Sequence, residues 1–172
     1  LVLRESNIIN GNVSLFASIP CTPPQNVKGM IRNIKKNGFV GLGEISFYQS
    51  IWNDIESYLY EVFESAEEEG LLVSMHLNEP VGHSYPGKHS VDFGRVYSII
   101  KSFPSLKLVL AHLGGGILFY ELMPEVKSAF SNVFYDTAAV PFLYDPIIYR
   151  RACEIAGKEK IIFGSDYPLL SI

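Results

Sequence analysis

Six short apolar segments recur along the chain, and the spacing between them leaves room for one helix each time. They are "NVSLFASIP" (12–20), "FVGLGEIS" (39–46), "LLVSMHL" (71–77), "KLVLAHL" (107–113), "NVFYDTA" (132–138) and "KIIFGSD" (160–166). Their first residues are 27, 32, 36, 25 and 28 positions apart, the length of a strand, a loop and a crossover helix. We therefore expect six βα units with parallel strands, apolar on both faces as a helix-covered sheet requires.

The segments between these strands have the apolar periodicity of helices. In the first, Val27, Ile31 and Ile34 share a face, Thr22 is the expected N-cap and Gly38 marks the end. The other predicted helices are 53–70 with the stripe Ile55, Leu59, Val62, Phe63 and Ala66, then 92–103, 121–130 and 145–157. Alternating strands and helices predict an α/β fold.

Two α/β architectures compete, an open doubly wound sheet and a TIM-type (β/α)8 barrel. A doubly wound nucleotide-binding protein usually has a glycine-rich loop after its first strand. Here that strand continues into "SIPCTPPQ", which has no glycine. The sequence therefore favours an incomplete barrel of about six βα units, forming a single domain over residues 1–172 that is truncated at both ends.

Composition excludes several classes of protein. The net charge is −4 at neutral pH, without a Lys/Arg cluster that would indicate nucleic-acid binding. No apolar run is long enough to span a membrane. The two cysteines, Cys21 and Cys153, are far apart and suit buried thiols in a reducing compartment. We therefore expect a cytoplasmic protein that acts on a small molecule.

Five of the six predicted strands end in a side chain that can bind metal or transfer a proton: Glu44, His76, His112, Asp136 and Asp166. In a parallel barrel, the chemistry collects at these carboxyl ends. Converging carboxylate and imidazole groups can hold a divalent metal, which lowers the pKa of bound water to about 7. Individually, Glu44 could instead be an ion-pair partner. For Asp136 we favour a cap of the next helix or a bond to loop backbone over a metal role.

The segment after the third strand, "NEPVGHSYPGKHS" (78–90), is long for a βα connection. It carries Glu79, His83, Tyr85 and Lys88. At a barrel mouth it would form a wall of the substrate site, and otherwise it is a surface excursion. We predict Glu79, His83 and Tyr85 as substrate-binding residues.

The strand ends resemble those of the metal-dependent amidohydrolase superfamily, specifically the amidohydrolase-2 group, which includes aromatic-acid decarboxylases. The resemblance rests on "SMHLNEP", "KLVLAHLGGG", "NVFYDTA" and "KEKIIFGSDYP", which follow the order of that group's barrel strands five to eight. "FASIP" and "GFVGLGEIS" resemble its strands three and four. The resemblance implies an incomplete barrel that lacks the first two strands and the last helix.

The resemblance also implies roles for individual residues. His76 corresponds to a metal ligand, and His112 to a histidine that binds metal or polarises substrate. Asp166 corresponds to a metal ligand that also accepts a proton, and Glu44 resembles a glutamate ligand of a related branch. The implied cofactor is a divalent metal ion, with zinc expected. The His-x-His pair of the family's first strand has no counterpart among His76, His83, His89 and His112.

Three functions remain open from the sequence. The first is a metal-dependent hydrolase that activates water to cleave a C–N or C–O bond. The second is a non-oxidative, metal-dependent decarboxylase of a small aromatic or unsaturated acid. The third is a non-catalytic subunit that requires a homo-oligomer or a complementing chain.

Overall fold

The computed structural model describes residues 13–46 and 49–169, and all six predicted strands are found there. They are β1 (Phe16–Ala17), β2 (Gly41–Ser46), β3 (Leu72–His76), β4 (Leu108–Leu110), β5 (Val133–Asp136) and β6 (Ile161–Ile162). All pair in parallel, and their order across the sheet equals their order in the chain. This is the sequential strand order of a (β/α)8 barrel, so the predicted fold class, an incomplete α/β barrel, is confirmed.

Helices alternate with the strands. They are α1 (Val27–Lys36), α2 (Gln49–Glu68), α3 (Phe93–Ser102), a short turn α4 (Ala111–Gly114), α5 (Pro124–Ala129), α6 (Val140–Leu143) and α7 (Ile147–Ala156). Two 3-10 helices, Ile117–Leu122 and Lys158–Lys160, precede α5 and β6. No helix in the described ranges is both long and apolar enough to cross a membrane.

Three predicted helix starts are wrong. The cap of α1 is Asn26 rather than Thr22, because Asn26 Oδ1 accepts from Gly29 N at 2.7 Å. Residues that precede a proline disfavour the helical region, and Thr22 is followed by Pro23 and Pro24, which keeps this segment out of the helix. Helix α2 begins at Gln49 instead of 53. The helix predicted over 121–130 begins only at Pro124, which lacks the N–H that a first helical turn leaves unpaired.

One contiguous apolar core lies between the sheet and its helices. The predicted face of α2 is part of it, since Leu59, Val62, Phe63 and Ala66 are buried. From the sheet side it is filled by alternate strand residues such as Val73 and Met75 of β3. Because successive side chains of a strand point to opposite faces, Val73 and Met75 lie on the face opposite Ser74 and His76.

A buried polar cluster joins three elements below this edge. Glu121, in the 3-10 helix, accepts a hydrogen bond from the Tyr135 hydroxyl of β5 at 2.7 Å. Its second oxygen pairs with the Lys160 ammonium group at 3.2 Å, and Lys160 also donates to the carbonyl of Phe130 at 2.8 Å. The cluster therefore ties the 3-10 helix Lys158–Lys160, which leads directly into β6, to the body of the fold through a paired charge.

Candidate metal site at the carboxyl edge of the sheet

Glu44, His76 and His112 converge at the carboxyl edge of the sheet. Each offers one ligand atom, and these atoms all lie within 4.8 Å of one another. His76 Nδ1 is 3.3 Å from Glu44 Oε1 and 3.2 Å from His112 Nε2, and His112 Nε2 is 4.0 Å from Glu44 Oε1. Three of the four metal ligands predicted from the sequence are thus brought together.

His112 reaches the site through a turn and not directly from a strand. Strand β4 ends at Leu110, two residues before the predicted ligand. His112 and Leu113 then adopt left-handed backbone conformations with φ of 58° and 53°. The imidazole Nδ1 lies 2.8 Å from the carbonyl of Ala138. Since a carbonyl only accepts, Nδ1 carries the proton, and in the neutral ring Nε2 presents its lone pair to Glu44 and His76.

His76 is held by Asn78, a residue that the sequence analysis did not select. Asn78 is buried, and its Nδ2 lies 3.1 Å from His76 Nε2. The same amide donates to the Tyr85 hydroxyl at 3.1 Å, and its oxygen accepts from the backbone N–H of His89 at 3.3 Å. The sequence did contain an indication of this contact, because residues two apart in an extended chain lie on the same side, as His76 and Asn78 do.

Mutual attraction shifts the pKa values of the converging groups. Burial alone would raise the pKa of the Glu44 carboxyl, but the hydrogen bond and positive charge of His76, with a contribution from His112, lower it below its ordinary value. Burial likewise lowers the pKa of His76, while Glu44, Asn78 and Asp166 together raise it above its ordinary value. The two shifts have opposite signs, as expected for an ion pair.

Asp136 bonds loop backbone, as the sequence analysis favoured. Its Oδ1 accepts from the backbone N–H of His112 at 2.9 Å and from that of Ala138 at 3.0 Å. It does not belong to the group of converging ligand atoms. Burial raises the pKa of its carboxyl, and the two backbone hydrogen bonds oppose that shift.

The converging groups open into a cavity of about 470 Å³. Its lining includes Asp166, His83 and Tyr85 from the predicted set, together with the apolar residues Phe142, Leu143 and Leu169. Glu79 does not line the cavity and lies behind Tyr85, whose hydroxyl donates to Glu79 Oε2 at 2.9 Å. Asp166 faces the cavity without joining the three close ligand atoms.

Backbone strain is concentrated around this cavity. Four residues other than glycine have a left-handed conformation in the described part of the chain: His112, Leu113, Ala139 and Asp166. Three of them, His112, Ala139 and Asp166, line the cavity. Conformations of this kind cluster at functional sites, where the surrounding structure holds them in place.

The donor set fits a divalent metal. Two imidazole nitrogens and a carboxylate oxygen are ligands that zinc and similar ions accept. The proton on His112 Nδ1 leaves Nε2 free to coordinate. The Ala138 carbonyl, which accepts the hydrogen bond from Nδ1, is the kind of outer partner that metal-bound histidines usually have.

Comparison with known proteins identifies the family. A family model described as Amidohydrolase matches residues 10–171. Among solved structures, 5-carboxyvanillate decarboxylase of Novosphingobium aromaticivorans, with bound manganese, aligns with a TM-score of 0.67 at 17% identity, over 91% of this chain and 56% of that one. Dihydroorotase of Campylobacter jejuni aligns with a TM-score of 0.56 at 18% identity, over 89% of this chain and 49% of that one.

A third structure, a Staphylococcus aureus protein classed as an amidohydrolase, aligns at 22% identity with a TM-score of 0.59, over 86% of this chain and 59% of that one. The chain therefore spans roughly half to three fifths of these structures. At such identities the alignments establish the fold, and the family model covers nearly the whole sequence. This chain belongs to the amidohydrolase family.

Proposed function

We propose that the protein is a metal-dependent hydrolase that uses water to cleave a C–N or C–O bond of a small molecule. The observation that carries the proposal is the convergence of Glu44, His76 and His112 ligand atoms within 4.8 Å, at the mouth of a cavity that Asp166 also lines. Family membership supports an enzyme, and the donor set supports a divalent ion, which we propose to be zinc.

Each residue has a distinct part in this proposal. Glu44, His76 and His112 would hold the ion, which when bound polarises a carbonyl group and lowers the pKa of water. Asp166, across the same cavity, accepts the proton of the attacking water as general base and later returns it to the leaving group. Asp166 lies four residues after the end of β6, has a left-handed backbone with φ of 56° and lines the cavity.

Residues of the 78–90 loop that line the cavity, among them Tyr85, supply substrate contacts in this proposal. Burial, followed by the hydrogen bond to Glu79, raises the pKa of Tyr85 to about 12. Tyr85 is therefore neutral, and its hydroxyl already donates to Glu79 and accepts from Asn78. We infer that Tyr85 offers its ring to the substrate, opposite an apolar wall containing Phe142 and Leu143, so that the preferred substrate has an apolar group beside the scissile bond.

The test combines metal binding with turnover. Zinc affinity is measured by calorimetry for the protein, for Glu44→Gln and for Glu64→Gln, an exposed glutamate of α2 that pairs with Lys28 and serves as the matched control. We expect Glu44→Gln to weaken binding and Glu64→Gln to leave it unchanged. Turnover is then measured with ester, lactone and amide panels. A protein that binds no divalent metal, or Glu44→Gln affinity equal to that of the control, rejects the proposal.

The same assay addresses the decarboxylase alternative, because a decarboxylase could use the same ligands. Carboxylated aromatic acids are added to the panel, and CO₂ release is followed beside hydrolysis. Release of CO₂ without hydrolysis of any ester, lactone or amide would replace the hydrolase proposal. Metal binding without turnover on either panel would favour a subunit completed by another chain.

A further inference from the structure

We propose that Asp136 is a positioning residue, which sets the direction of His112 through two backbone hydrogen bonds made by a single carboxylate oxygen. The proposal deepens the metal-site function above and rests on it. It concerns the orientation of the His112 side chain. Asp136 itself neither lines the cavity nor supplies one of the converging ligand atoms.

The first step of the argument is the pair of hydrogen bonds. The N–H groups of His112 and Ala138 both donate to Asp136 Oδ1, at 2.9 and 3.0 Å. These donors belong to two different turns, one after β4 and one after β5. Strands β4 and β5 pair directly, with Leu110 opposite Tyr135, so the oxygen joins the two turns where their strands end.

The second step is the ring of interactions that this oxygen closes. The Ala138 N–H is held by Asp136, and the Ala138 carbonyl accepts from His112 Nδ1 at 2.8 Å. Backbone and side chain of His112 are therefore fixed by the same short segment. The remaining nitrogen, Nε2, can then face only toward His76, 3.2 Å away, and Glu44.

The third step is the strain that the hydrogen bonds must offset. His112 and Leu113 are consecutive left-handed residues, and Ala139 is a third in the facing turn. A left-handed conformation is unfavourable for a residue with a Cβ, because the Cβ then crowds the following carbonyl oxygen. Without the shared acceptor, the His112 backbone can relax toward an unstrained conformation, which turns Nε2 away from the site. The oxygen, and not the negative charge, is what this role requires.

That distinction gives a matched pair of variants. Asp136→Asn keeps an Oδ1 acceptor and removes the charge, whereas Asp136→Ala removes the acceptor. Loss of an outer partner of a metal ligand typically costs 10–100-fold in affinity, so we expect Asp136→Ala to weaken zinc binding by about that factor and Asp136→Asn to stay close to the unmodified protein. The control is Asp92→Ala, because Asp92 Oδ1 likewise accepts from two backbone N–H groups, of Gly94 and Arg95, away from the site.

A second readout needs no metal. The Nδ1 proton of His112, donated to the Ala138 carbonyl, should give a downfield, slowly exchanging NMR signal. The signal should be present in the unmodified protein and in Asp136→Asn, and absent in Asp136→Ala. If Asp136→Ala does not fold, the Asn variant alone decides: a retained signal and affinity support the role of the oxygen, and their loss overturns it.

The remaining outcomes are equally decisive. Equal losses in Asp136→Asn and Asp136→Ala would show that the charge itself acts, and an unchanged Asp136→Ala would show that the hydrogen bonds position nothing. If the unmodified protein binds no zinc, the proposed function fails. The NMR comparison still tests whether Asp136 orients His112, so the two failures are distinguishable.

Discussion

Three acidic side chains lie within or after strands of the sheet: Glu44 within β2, Asp136 at the end of β5 and Asp166 four residues after β6. Their surroundings give each a different task. Glu44 faces two imidazoles, which lower the pKa of its carboxyl. Asp136 faces backbone N–H groups and is occupied by them. Asp166 is exposed and lines the cavity, and its side chain makes no hydrogen bond to the residues that the structure describes. Of the three carboxylates, it is therefore the one available to accept a proton.

Asp166→Asn tests this assignment. The amide cannot act as a base, and loss of general-base assistance typically lowers rates by 10²–10⁴-fold, so turnover should fall by at least about 100-fold. Zinc content should persist, because the three converging ligand atoms are untouched. The measurement is kcat with metal analysis in parallel. The control is Asp145→Asn, at an exposed turn before α7. Near-normal turnover of Asp166→Asn would show that Asp166 is only a turn residue.

The sequence predicted that Glu44, His76 and His112 would lie close together, because parallel strands bring their carboxyl ends together whatever the details of each loop. It did not identify Asn78 as a partner of His76, or which backbone groups Asp136 would bond. Asn78 is recognisable only when the side of β3 that faces the site is known. The bonds of Asp136 depend on the left-handed turn at His112, and no residue pattern in "AHLGGG" specifies where that turn points.

At the scale of elements, the predictions succeeded where apolar periodicity sets the structure and failed at helix starts. Periodicity depends on many residues, so the stripes of α2 and the order of all six strands are confirmed. A cap depends on one side chain and on the backbone beside it. For α1 the competing influence was Pro23–Pro24, which excluded Thr22 from the helix start, while Asn26 took the cap position.

The corrected cap can be tested by stability. Asn26→Ala removes the acceptor for Gly29 N and should lower the free energy of unfolding by about 1 kcal/mol. Asn26→Asp keeps the acceptor and should retain most of the stability. Thr22→Ala, at an exposed position with no cap role, should leave it unchanged. Urea denaturation measures all three, and a larger loss in Thr22→Ala than in Asn26→Ala would contradict the assignment.

The glycine turn after His112 offers a second test. Gly115 has φ of 59°, and an added Cβ would lie 2.5 Å from the carbonyl oxygen of Asn78. Gly115→Ala should therefore destabilise the protein and, by displacing Asn78 from His76, weaken zinc binding. Gly70→Ala is the matched control, since Gly70 has φ of 63° and open space around it. Its cost is limited to the left-handed conformation, about 1–2 kcal/mol, with zinc affinity unaffected. Equal zinc affinities in the two variants would contradict this reasoning.

At the scale of the whole molecule, the pair Glu121–Lys160 is buried, with side chains 0% and 13% exposed, so removing one partner should be costly. Glu121→Gln leaves the Lys160 ammonium group without its counter-charge, and breaking a buried pair from one side typically costs 3–5 kcal/mol, so we expect a loss of roughly that size. The double variant Glu121→Gln with Lys160→Met keeps an acceptor for the Tyr135 hydroxyl and removes the unpaired charge, so it should recover part of the loss. Chemical denaturation of the single and double variants measures the coupling.

An exposed pair of the same length is the control for that prediction. Lys28 and Glu68 are also 3.2 Å apart, but both side chains are over 40% exposed, compared with 13% and 0% for Lys160 and Glu121. Water and salt screen such a pair, so Glu68→Gln should barely move the denaturation midpoint. Similar effects at the two sites would show that burial does not decide the strength of the pair.

The sequential order of the strands has a kinetic consequence. Within residues 13–46 and 49–169, each strand pairs only with its neighbours along the chain. Forming any of these ladders therefore requires closure of one βα unit, which keeps the contact order low for a parallel sheet. The outermost ladders, made by the two-residue strands β1 and β6, should open most often. Amide hydrogen exchange followed by mass spectrometry should therefore show protection that rises from both outer strands toward β3 and β4. Uniform protection across the sheet would indicate instead that it opens as a single cooperative unit.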